Sequence, residues 1–495
     1  METHVPVPVR PRHRVRTAVV VVAFGSLLAA GCSGSSDGDA SGGAGAELAA
    51  CPIDALPADG DEPADITVWH PYSGLTMQAF EGIVDDYNAS QSSVRVAAEG
   101  QGTSAELHKK FQETIGDDAS MPEAIFSEDV NLQFLADSDT VVPATSCIEA
   151  DPDAGGFYEQ VFQPVRSAYS LDDVLLPSAF GLATMMVYAN DAHLRAAGIG
   201  TGEMPETLDE LRSMAEQVRD ADIDGVAEPV VLKMDPWVLE TLLTGADHLM
   251  VNEQNGRAGL ATESELDDDA ARGVMQWISS MIEDGLLKPV PYGESIDDFL
   301  AIAGGTSTFT ISGSGSITPV AEVMGGGDPG GESGDDAAKE ALARIDLRAG
   351  LVPGITEAGR SNVAGTAGYV LQASDAQIAA TWDFMKYFNE LPQQVRWSLE
   401  GSYLPLTTAA LESPEIRAAA DTTLSGKWLA LVATGISNLD ANFPGPSIGP
   451  YAEYRNDVLR MMDGIASGDD VEPSLTAASE GITEALQAYR DEVEG

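Results

Sequence analysis

Basic residues are scarce in this chain of 495 residues, and the imbalance excludes one class of partner. Only 26 lysines and arginines stand against 79 aspartates and glutamates, so the formal net charge is -53. Such an excess repels nucleic acid and anionic lipid surfaces, and we expect no nucleic acid partner. The same charge keeps the surface solvated and opposes nonspecific self-association, so we expect a monomer.

The motifs that usually carry enzymatic chemistry are also missing. The sequence has no His-Glu-x-x-His and no Cys-x-x-Cys. Its six histidines, at positions 4, 13, 70, 108, 193 and 248, lack the spacing of metal ligands. We therefore expect no enzyme, no metal and no other cofactor. A glycosidase-like pair of carboxylates stays open as an alternative, because acidic residues are too abundant to be excluded by counting.

The first 32 residues have the pattern of an export signal. Alternating arginines precede the apolar run "TAVVVVAFGSLLAA", residues 17–30, which is too short and too early for a stable membrane span. The run leads into "LLAAGC", which resembles the lipobox of bacterial lipoproteins, where the cysteine carries the lipid. We predict a lipoprotein signal peptide over residues 1–32 and acylation of Cys32. The protein would then be exported and lipid-anchored to the outer face of the cell membrane; an ordinary secretory signal is the alternative.

Cysteine occurs three times, at Cys32, Cys51 and Cys147. If Cys32 is acylated, the other two remain, and outside the cytoplasm such a pair is more often joined than free. We therefore predict a disulfide between Cys51 and Cys147. Residues 33–50 are rich in glycine and serine and are predicted to form a flexible tether ahead of the folded region.

Strand and helix patterns alternate from Cys51 onward. In "DITVWHPYSGLTMQAFEGIVDDYNASQ", residues 65–91, strand formers are followed by a break and then by apolar residues at helical spacing. The same alternation predicts further strands at 93–100, 122–127 and 181–190. It predicts helices at 104–115, from Thr207 as the capping residue, and over most of 452–494 with a break around Gly468. It indicates an α/β fold with parallel-rich sheets flanked by helices.

The order of these segments resembles the family 1 extracellular solute-binding proteins, the sugar-type receptors of bacterial ABC importers. "ITVWHPYSG" resembles the opening strand of that family, and "MPEAIFSEDVNLQFLADSDTVVP", "FGLATMMVYANDAHLRAAGI" and "MPETLDELRSMAEQV" resemble the segments that follow. "FTISGSGSI", "AGTAGYVL", "WDFMKYFNELPQQVRWSLEGSYLPLTTAAL" and "GPYAEYR" continue in the family order. The chain departs from the pattern at Glu123, where aspartate is usual, and at Leu208, where the family has tryptophan.

The resemblance implies a two-lobe periplasmic-binding-protein-like fold of the class II type, joined by a hinge of several crossing segments. Residues 51–178 and 348–395 would form lobe 1, and residues 179–347 and 396–495 would form lobe 2. The crossings would fall near Pro177–Leu182, Ala349–Pro353 and Asn389–Val395. A small-molecule solute held between the lobes would be delivered to the permease transmembrane subunits of an ABC importer.

The resemblance also points to a carbohydrate or polyol as the solute. One branch of the family binds glycerophosphodiesters, and the "WH" opening and the "GSYLP" loop resemble that branch, so a ligand such as glycerophosphocholine is the alternative. Basic residues are sparse near the expected cleft, where Arg455 is the arginine in a shared motif, and a buried dianion without a cation is costly. We therefore expect a neutral or zwitterionic ligand. A passive surface adhesin remains a third possibility.

Aromatic residues make up 6% of the chain, yet several stand where strands end or loops begin. A sugar needs flat apolar faces, and the carboxyl ends of strands in an open α/β sheet are where ligands bind. We expect Tyr72, Trp237 and Tyr403 to face the ligand, although Tyr403 could instead only pack its loop. Trp69 lies on the strand itself and is as compatible with the core as with the cleft.

Short polar groups near other strand ends are the expected partners of the ligand hydroxyls. They lie just after a predicted strand or beside a glycine that permits close backbone approach. The full set of ligand-binding candidates is His70, Tyr72, Gln101, Glu128, Asp129, Trp237, Ser312, Ser314, Gly365, Thr366 and Tyr403. Which of Glu128 and Asp129 points inward is left open.

Overall fold

The computed structural model describes residues 48–58, 60–117, 120–293, 297–316 and 347–494. The predicted signal peptide, Cys32, residues 33–47 of the predicted tether and the glycine-rich stretch 325–337 lie outside these ranges. Among the described residues, no helix is both long and apolar enough to cross a membrane. The same residues contain no group of three or more histidines, cysteines and carboxylates arranged to hold a metal ion.

The strands are short and follow the predicted order. In chain order they are β1 (Ala64–His70), β2 (Val94–Gly100), β3 (Ala124–Glu128), β4 (Val141–Val142), β5 (Ser170–Leu171), β6 (Val174–Leu175), β7 (Ala179–Phe180), β8 (Met185–Asn190), β9 (Val230–Lys233), β10 (Leu287–Val290), β11 (Phe309–Gly313), β12 (Leu347–Leu351) and β13 (Thr366–Leu371).

These strands form two main sheets, each parallel on one side and antiparallel on the other. The first has the order β2-β1-β3-β13-β4, with β7 also paired to β13; β1 runs parallel to β2 and β3, whereas β13 is antiparallel to its neighbours. The second has the order β10-β9-β11-β8-β12, in which β9 is parallel to β10 and β11, and β8 is antiparallel to β11 and β12. The hairpin β5-β6 stands apart.

Helices cover the sheets. They are α1 (Gly74–Ser90), α2 (Ser104–Thr114), α3 (Leu132–Asp137), α4 (Ala144–Ala150), α5 (Gly155–Gln160), α6 (Gln163–Ala168), α7 (Asp191–Ala196), α8 (Leu208–Asp220), α9 (Pro236–Gly245), α10 (Asn252–Gly256), α11 (Asp269–Glu283), α12 (Asp297–Ala303), α13 (Asp375–Phe388), α14 (Leu391–Glu400), α15 (Thr408–Leu411), α16 (Pro414–Thr422), α17 (Leu424–Val432), α18 (Tyr451–Ala466) and α19 (Val471–Glu494).

The predicted helix starts and stops are present. Thr207 caps α8 by accepting a hydrogen bond from the backbone N–H of Glu210 at 3.2 Å. Thr103 caps α2 in the same way and forms a reciprocal capping box with Glu106. The C-terminal helical region divides into α18 and α19 around Gly468, whose φ of +104° ends the first helix.

Two hydrophobic cores lie around the two main sheets, and the first extends onto Met186 and Tyr188 of β8 in the second sheet. The first core gathers rings such as Phe80, Phe126 and Trp382, and the second gathers the apolar faces of α8, α11, α18 and α19. The chain passes from the first sheet to the second between β7 and β8, and back between β12 and β13. Trp397 and Trp428 still belong to the first core, and the chain reaches the second core again at Ile448. The residue boundaries of the two lobes stay a prediction.

The predicted disulfide is confirmed. Cys51 and Cys147 are bonded, with their Cα atoms 4.9 Å apart, and both side chains are buried in the first core. The bond ties the start of the described chain to α4. Because the two cysteines are separated by 96 residues, the bond closes a long loop in the unfolded chain.

Removing this disulfide should lower the free energy of unfolding. The chain-entropy model assigns about 4–5 kcal/mol to closing a loop of this length, and we expect a loss of about 3–5 kcal/mol in the Cys51→Ser/Cys147→Ser variant. Urea unfolding of the variant and the parent protein measures the difference. The free thiol content of the parent protein, denatured without reductant, is the control: if Cys51 and Cys147 both react, the bond does not form.

Candidate functional site

The carboxyl ends of the parallel strands in the first sheet lie at one edge, as expected for an open α/β sheet. His70 at the end of β1 is paired with Gly100 at the end of β2, and Glu128 at the end of β3 is paired with Thr366 at the start of β13. A cavity of 260 Å³ opens beyond this edge. Its walls are Thr76, Glu128, Asp129, Ala183, Asp235, Trp237, Tyr292, Gly315, Ala364, Gly365, Thr366, Gly401, Ser402, Tyr403 and Arg455.

Asp129 and Gly365 form the floor of the cavity through two reciprocal hydrogen bonds. The backbone N–H of Gly365 donates to Oδ1 of Asp129 at 3.0 Å, and the backbone N–H of Asp129 donates to the carbonyl of Gly365 at 2.9 Å. Gly365 has a φ of +133°, and a Cβ placed there would lie 2.4 Å from the carbonyl oxygen of Gly181. Only glycine fits this position, because any side chain would collide with the backbone that enters β8.

Tyr403 supplies an aromatic wall that is fixed from behind. Its ring stacks on Trp397 with centroids 5.0 Å apart, and its hydroxyl is 2.9 Å from Oγ1 of Thr366. The same Thr366 oxygen is 2.7 Å from the hydroxyl of Tyr72. Burial raises the pKa of Tyr403 to about 12, so the phenol keeps its proton at any physiological pH. Tyr403 therefore presents a rigid, uncharged face.

Trp237 supplies the aromatic wall from the side of the second sheet. Its indole N–H donates to Oδ1 of Asn362 at 3.2 Å, and its backbone N–H donates to Oδ1 of Asp235, which caps α9, at 3.0 Å. A Cβ at Gly313 would lie 2.7 Å from the ring, so the glycine at the end of β11 is what admits the indole. Asp235 and Trp237 thus both line the cavity from the N-terminus of α9.

Arg455, in the first two turns of α18, brings a cation into the cavity. Its guanidinium lies over the ring of Tyr451, and its Nε is 3.8 Å from Oε1 of the buried Glu240. Burial opposes the charge on Arg455, but Glu240 and Tyr451 outweigh it and raise the arginine pKa well above its usual value. Basic groups are sparse in the cavity, as expected: among the described wall residues Arg455 is the only one with a permanent positive charge. Arg257 lies close enough to interact electrostatically with Asp129.

Six of the residues predicted from the sequence line this cavity, and they come from both sheets. They are Glu128, Asp129, Trp237, Gly365, Thr366 and Tyr403. Glu128 and Asp129 both line the cavity, whereas the sequence analysis left open which of the two points inward.

The other predicted site residues lie outside the cavity walls. His70 is fully buried behind them: its Nδ1 accepts the backbone N–H of Tyr72 at 3.2 Å, and burial lowers the histidine pKa to about 4, so the ring is neutral. Tyr72 is 7% exposed and packs among the rings of the first core. Gln101 lies at the surface between Lys110 and Glu99.

The two serines of the "SGSGS" stretch do not line the cavity either. Ser314 accepts the backbone N–H of Thr184 at 3.0 Å and is 1% exposed, so its hydroxyl serves the backbone rather than a ligand. Ser312 pairs with Met186 within the second sheet. From this stretch, the backbone at Gly315 is what reaches the cavity.

Sequence reasoning missed several of the wall residues. Asp235 was detectable as the residue before proline at a helix start, where a capping aspartate is common. Tyr292 follows β10, and with 44% of its surface exposed it stands at the edge of the cavity. Thr76, Ala183, Ala364, Gly401 and Ser402 carry no comparable signal.

The cavity combines acidic and basic groups in a partly enclosed space. Burial raises the pKa of Asp129 to about 7, even though Arg455 and the bond from Gly365 act to lower it. Near neutral pH this carboxyl therefore exists in both forms, and it can accept or donate a hydrogen bond. With Glu128, Asp235 and Arg455, the walls present both acceptors and donors to a bound molecule.

Replacing Asp129 by asparagine should change how stability depends on pH. The native state holds the Asp129 proton up to a pH of about 7, whereas the unfolded chain releases it near the ordinary value of 3.8. Stability from this group is therefore complete below pH 4 and is lost as the pH rises through 7. Because the cleft admits water, we expect Asp129→Asn to gain on the order of 2 kcal/mol relative to the parent protein between pH 4 and pH 8.

Urea unfolding at several pH values measures this gain, and the amide oxygen of the asparagine keeps the bond from Gly365. Asp421→Asn, which removes one carboxylate from the exposed surface of α16, controls for the change in net charge. A stability difference between Asp129→Asn and the parent protein that stays constant from pH 4 to pH 8 would contradict the raised pKa.

Comparison with known proteins identifies relatives along most of the chain. Residues 82–424 match the model of a family described as bacterial extracellular solute-binding protein. The chain is 23% identical over 414 residues to the sn-glycerol-3-phosphate-binding periplasmic protein UgpB of Pectobacterium atrosepticum, covering 82% of this chain and 80% of that protein. It is 20% identical over 364 residues to the protein of the same name from Yersinia pestis, covering 70% and 75%.

Solved structures with the same fold include carbohydrate and glycerophosphodiester complexes. UgpB from Mycobacterium tuberculosis in complex with glycerophosphocholine has a TM-score of 0.67 at 15% identity, covering 87% of this chain and all of that one. The cyclic alpha-maltosyl-1,6-maltose binding protein of Arthrobacter globiformis has a TM-score of 0.65 at 18% identity, covering 86% and 100%. The GacH receptor of Streptomyces glaucescens, solved with and without acarbose, has a TM-score of 0.67 at 17% identity, covering 88% and 99%.

The structural likeness confirms the predicted α/β fold of the periplasmic-binding-protein type, and the family match covers well over half of the sequence. The chain belongs to the bacterial extracellular solute-binding proteins, the receptors of ABC importers.

Proposed function

We propose that this protein captures a neutral polyhydroxylated solute, a sugar or polyol, in the cavity between its two sheets. The observation that carries the proposal is the pairing of two aromatic faces, Trp237 and Tyr403, with Glu128, Asp235 and Arg455 around one space of 260 Å³. Apolar ring faces of a sugar pack on aromatic side chains, while its hydroxyls need a donor or acceptor each once water is displaced.

The wall groups are suited to uncharged hydroxyls of either orientation. Glu128 and Asp235 accept hydrogen bonds, Arg455 donates them, and Asp129 changes role with its proton. A volume near the lower end of the usual range for ligand pockets favours a small solute. Structural neighbours that are a cyclic maltosyl-maltose binding protein and a receptor solved with acarbose support this class of ligand.

A glycerophosphodiester with a cationic head group is the second candidate. The observation that favours it is the guanidinium of Arg455 in the cavity wall. The guanidinium is suited to a phosphate oxygen, and the carboxylates with the faces of Trp237 and Tyr292 are suited to a quaternary ammonium. Relatives named as glycerol-3-phosphate-binding proteins and a neighbour solved with glycerophosphocholine support it. A bare phosphate monoester fits less well, because its dianion would face Glu128 and Asp235.

We carry over from the sequence analysis the proposals for membrane anchoring, lobe closure and permease docking. Acylation of Cys32 would anchor the protein to the outer face of the cell membrane, with residues 33–50 as the tether. The two lobes would close around the solute, and the closed form would dock on the permease subunits as a monomer. The helix α14 packs against α1 of the first sheet, whereas Trp428 of α17 packs against Tyr188 of β8 in the second. These contacts support a third passage between Glu400 and Trp428 rather than at Asn389–Val395.

A thermal-shift screen tests the proposed function. We expect a neutral sugar or polyol to raise Tm, because a ligand that binds only the native state stabilises it by RT ln(1 + [L]/Kd). Maltose-type sugars, sugar alcohols, glycerophosphocholine and glycerol 3-phosphate form the panel. A shift with glycerophosphocholine alone selects the second candidate; no shift with any of them contradicts both, and product formation from glycosides would point to an enzyme.

Trp237→Ala should weaken binding of the solute found in that screen by about 10- to 100-fold, because the mutation removes an aromatic face from the cavity wall. Gln101→Ala is the matched control: the sequence placed both residues at the ligand, but only Trp237 lines the cavity. Isothermal titration calorimetry of both variants gives the two dissociation constants. Equal losses of affinity, or a loss only in Gln101→Ala, would show that the solute binds elsewhere.

A further inference from the structure

Two side chains connect the halves of the molecule away from the cavity walls. Arg257 follows a turn whose neighbours Met250 and Val251 belong to the second core, yet its Nη1 donates to the carbonyl of Ala168 in the first core at 3.1 Å. Tyr489 on α19 donates its hydroxyl to Oδ2 of Asp137, at the end of α3 on the first sheet, at 2.8 Å. Neither Arg257 nor Tyr489 is among the residues that line the cavity.

Arg257 is presented by a strained turn. Glu253, Gln254 and Asn255 have φ values of 54°, 55° and 62°, which is the left-handed region that residues with side chains rarely adopt in succession. Asn255 holds the turn: its Oδ1 accepts the backbone N–H of Met250 at 2.7 Å, and its carbonyl accepts that of Ser447 at 2.8 Å. Such strain persists only where the surroundings enforce it, and it is concentrated at functional positions.

The guanidinium of Arg257 spans two backbone carbonyls that are far apart in the sequence. While Nη1 reaches Ala168, Nε donates to the carbonyl of Gly445 at 2.8 Å. Gly445 precedes the segment that leads into α18, the helix that carries Arg455 into the cavity. The Arg257 side chain therefore connects the end of α6, in the first core, to the segment that precedes α18, in the second core.

Tyr489 is placed with similar specificity. Its ring lies directly on Gly449, where a Cβ would come within 1.9 Å of the ring carbon Cζ. Gly449 lies in the same segment before α18, and the absence of a side chain there leaves room for the ring whose hydroxyl reaches Asp137. Because the acceptor is a carboxylate, the bond is stronger than one between neutral groups.

We propose that Arg257 and Tyr489 are cross-cleft latches, positioning residues that favour the closed arrangement of the two lobes without touching the solute. The proposal rests on the proposed function, since it assumes that the lobes separate to admit a ligand. Each contact joins a group on the first sheet's side to one on the second's. Separation of the lobes at these points would break both contacts, so each would shift the open–closed equilibrium by its own free energy. Solute affinity is then set by the latches as well as by the cavity walls, because only the closed fraction binds tightly.

The test measures the open fraction of the ligand-free protein by single-molecule fluorescence energy transfer. One dye is attached at Glu113→Cys on α2, against the first sheet, and the other at Asp220→Cys on α8, against the second. A Cys32→Ser background leaves the native disulfide intact and only the two introduced thiols reactive. Because no ligand is used, failure of the latches is distinguishable from failure of the proposed ligand class.

Tyr489→Phe and Arg257→Met should each raise the ratio of open to closed molecules by about 3- to 10-fold, the equilibrium effect of losing one such hydrogen bond. Tyr87→Phe is a matched control: Tyr87 donates to Oδ2 of Asp383 at the same 2.8 Å, but both residues belong to the first sheet and its helices. Arg166→Met removes a guanidinium bond to the carbonyl of Val161 within the same core. Neither control should change the ratio.

A double-mutant cycle separates the latch from general destabilisation. Asp137→Ala should match Tyr489→Phe, and combining them should add nothing further to the open fraction. The proposal is overturned if neither latch variant changes the ratio, or if Tyr87→Phe and Arg166→Met raise it equally. Urea unfolding of every variant tests whether it is folded. If Arg257→Met does not fold, the double-mutant cycle of Tyr489 and Asp137 alone decides the outcome.

Discussion

The geometry of the cavity depends on the pairing of β13 beside β3. This antiparallel register places Thr366 opposite Glu128 and closes the two bonds between Asp129 and Gly365. The backbone at Gly365 can take that position only because it has no side chain to collide with Gly181 at the entrance to the second sheet. One residue without a Cβ therefore lets β13, the strand returning from the second sheet, form the cavity floor, and the aromatic and acidic walls are arranged around it.

The electrostatics of the cleft differ from those of the whole chain. The protein carries a formal charge of -53, yet its cavity holds a permanent cation, Arg455, supported by the buried Glu240. Burying Glu240 raises its pKa, and the nearby guanidinium offsets part of that cost. The result is a site with donors and acceptors in one enclosure, which suits a neutral or zwitterionic solute better than an ion of either sign.

The sequence predicted the elements of the fold well, because their signals are local. Strand-forming runs, the cap at Thr207 and the break at Gly468 each act within a few residues, and all are present. The site was predicted in part for the same reason: Glu128, Asp129 and Thr366 follow or begin strands, so their place at the sheet edge follows from topology. The direction in which a side chain points at that edge does not follow from topology. His70 and Tyr72 stand at the end of β1, but packing against Phe80 and Trp397 turns both rings into the core.

What the sequence by itself determined is the α/β class, the order of strands and helices and the family, since each rests on local patterns or on motifs in a fixed order. The disulfide partners followed from the count of three cysteines once Cys32 was assigned to the lipid. Only the tertiary structure decided which polar residues meet. Arg455, Asp235 and Tyr292 lie far from Glu128 in the chain, and they share a cavity because residues of both sheets line it. The physical reason is that a strand's pattern encodes which face it buries, whereas the angle at which one sheet meets another is set by the packing of the whole.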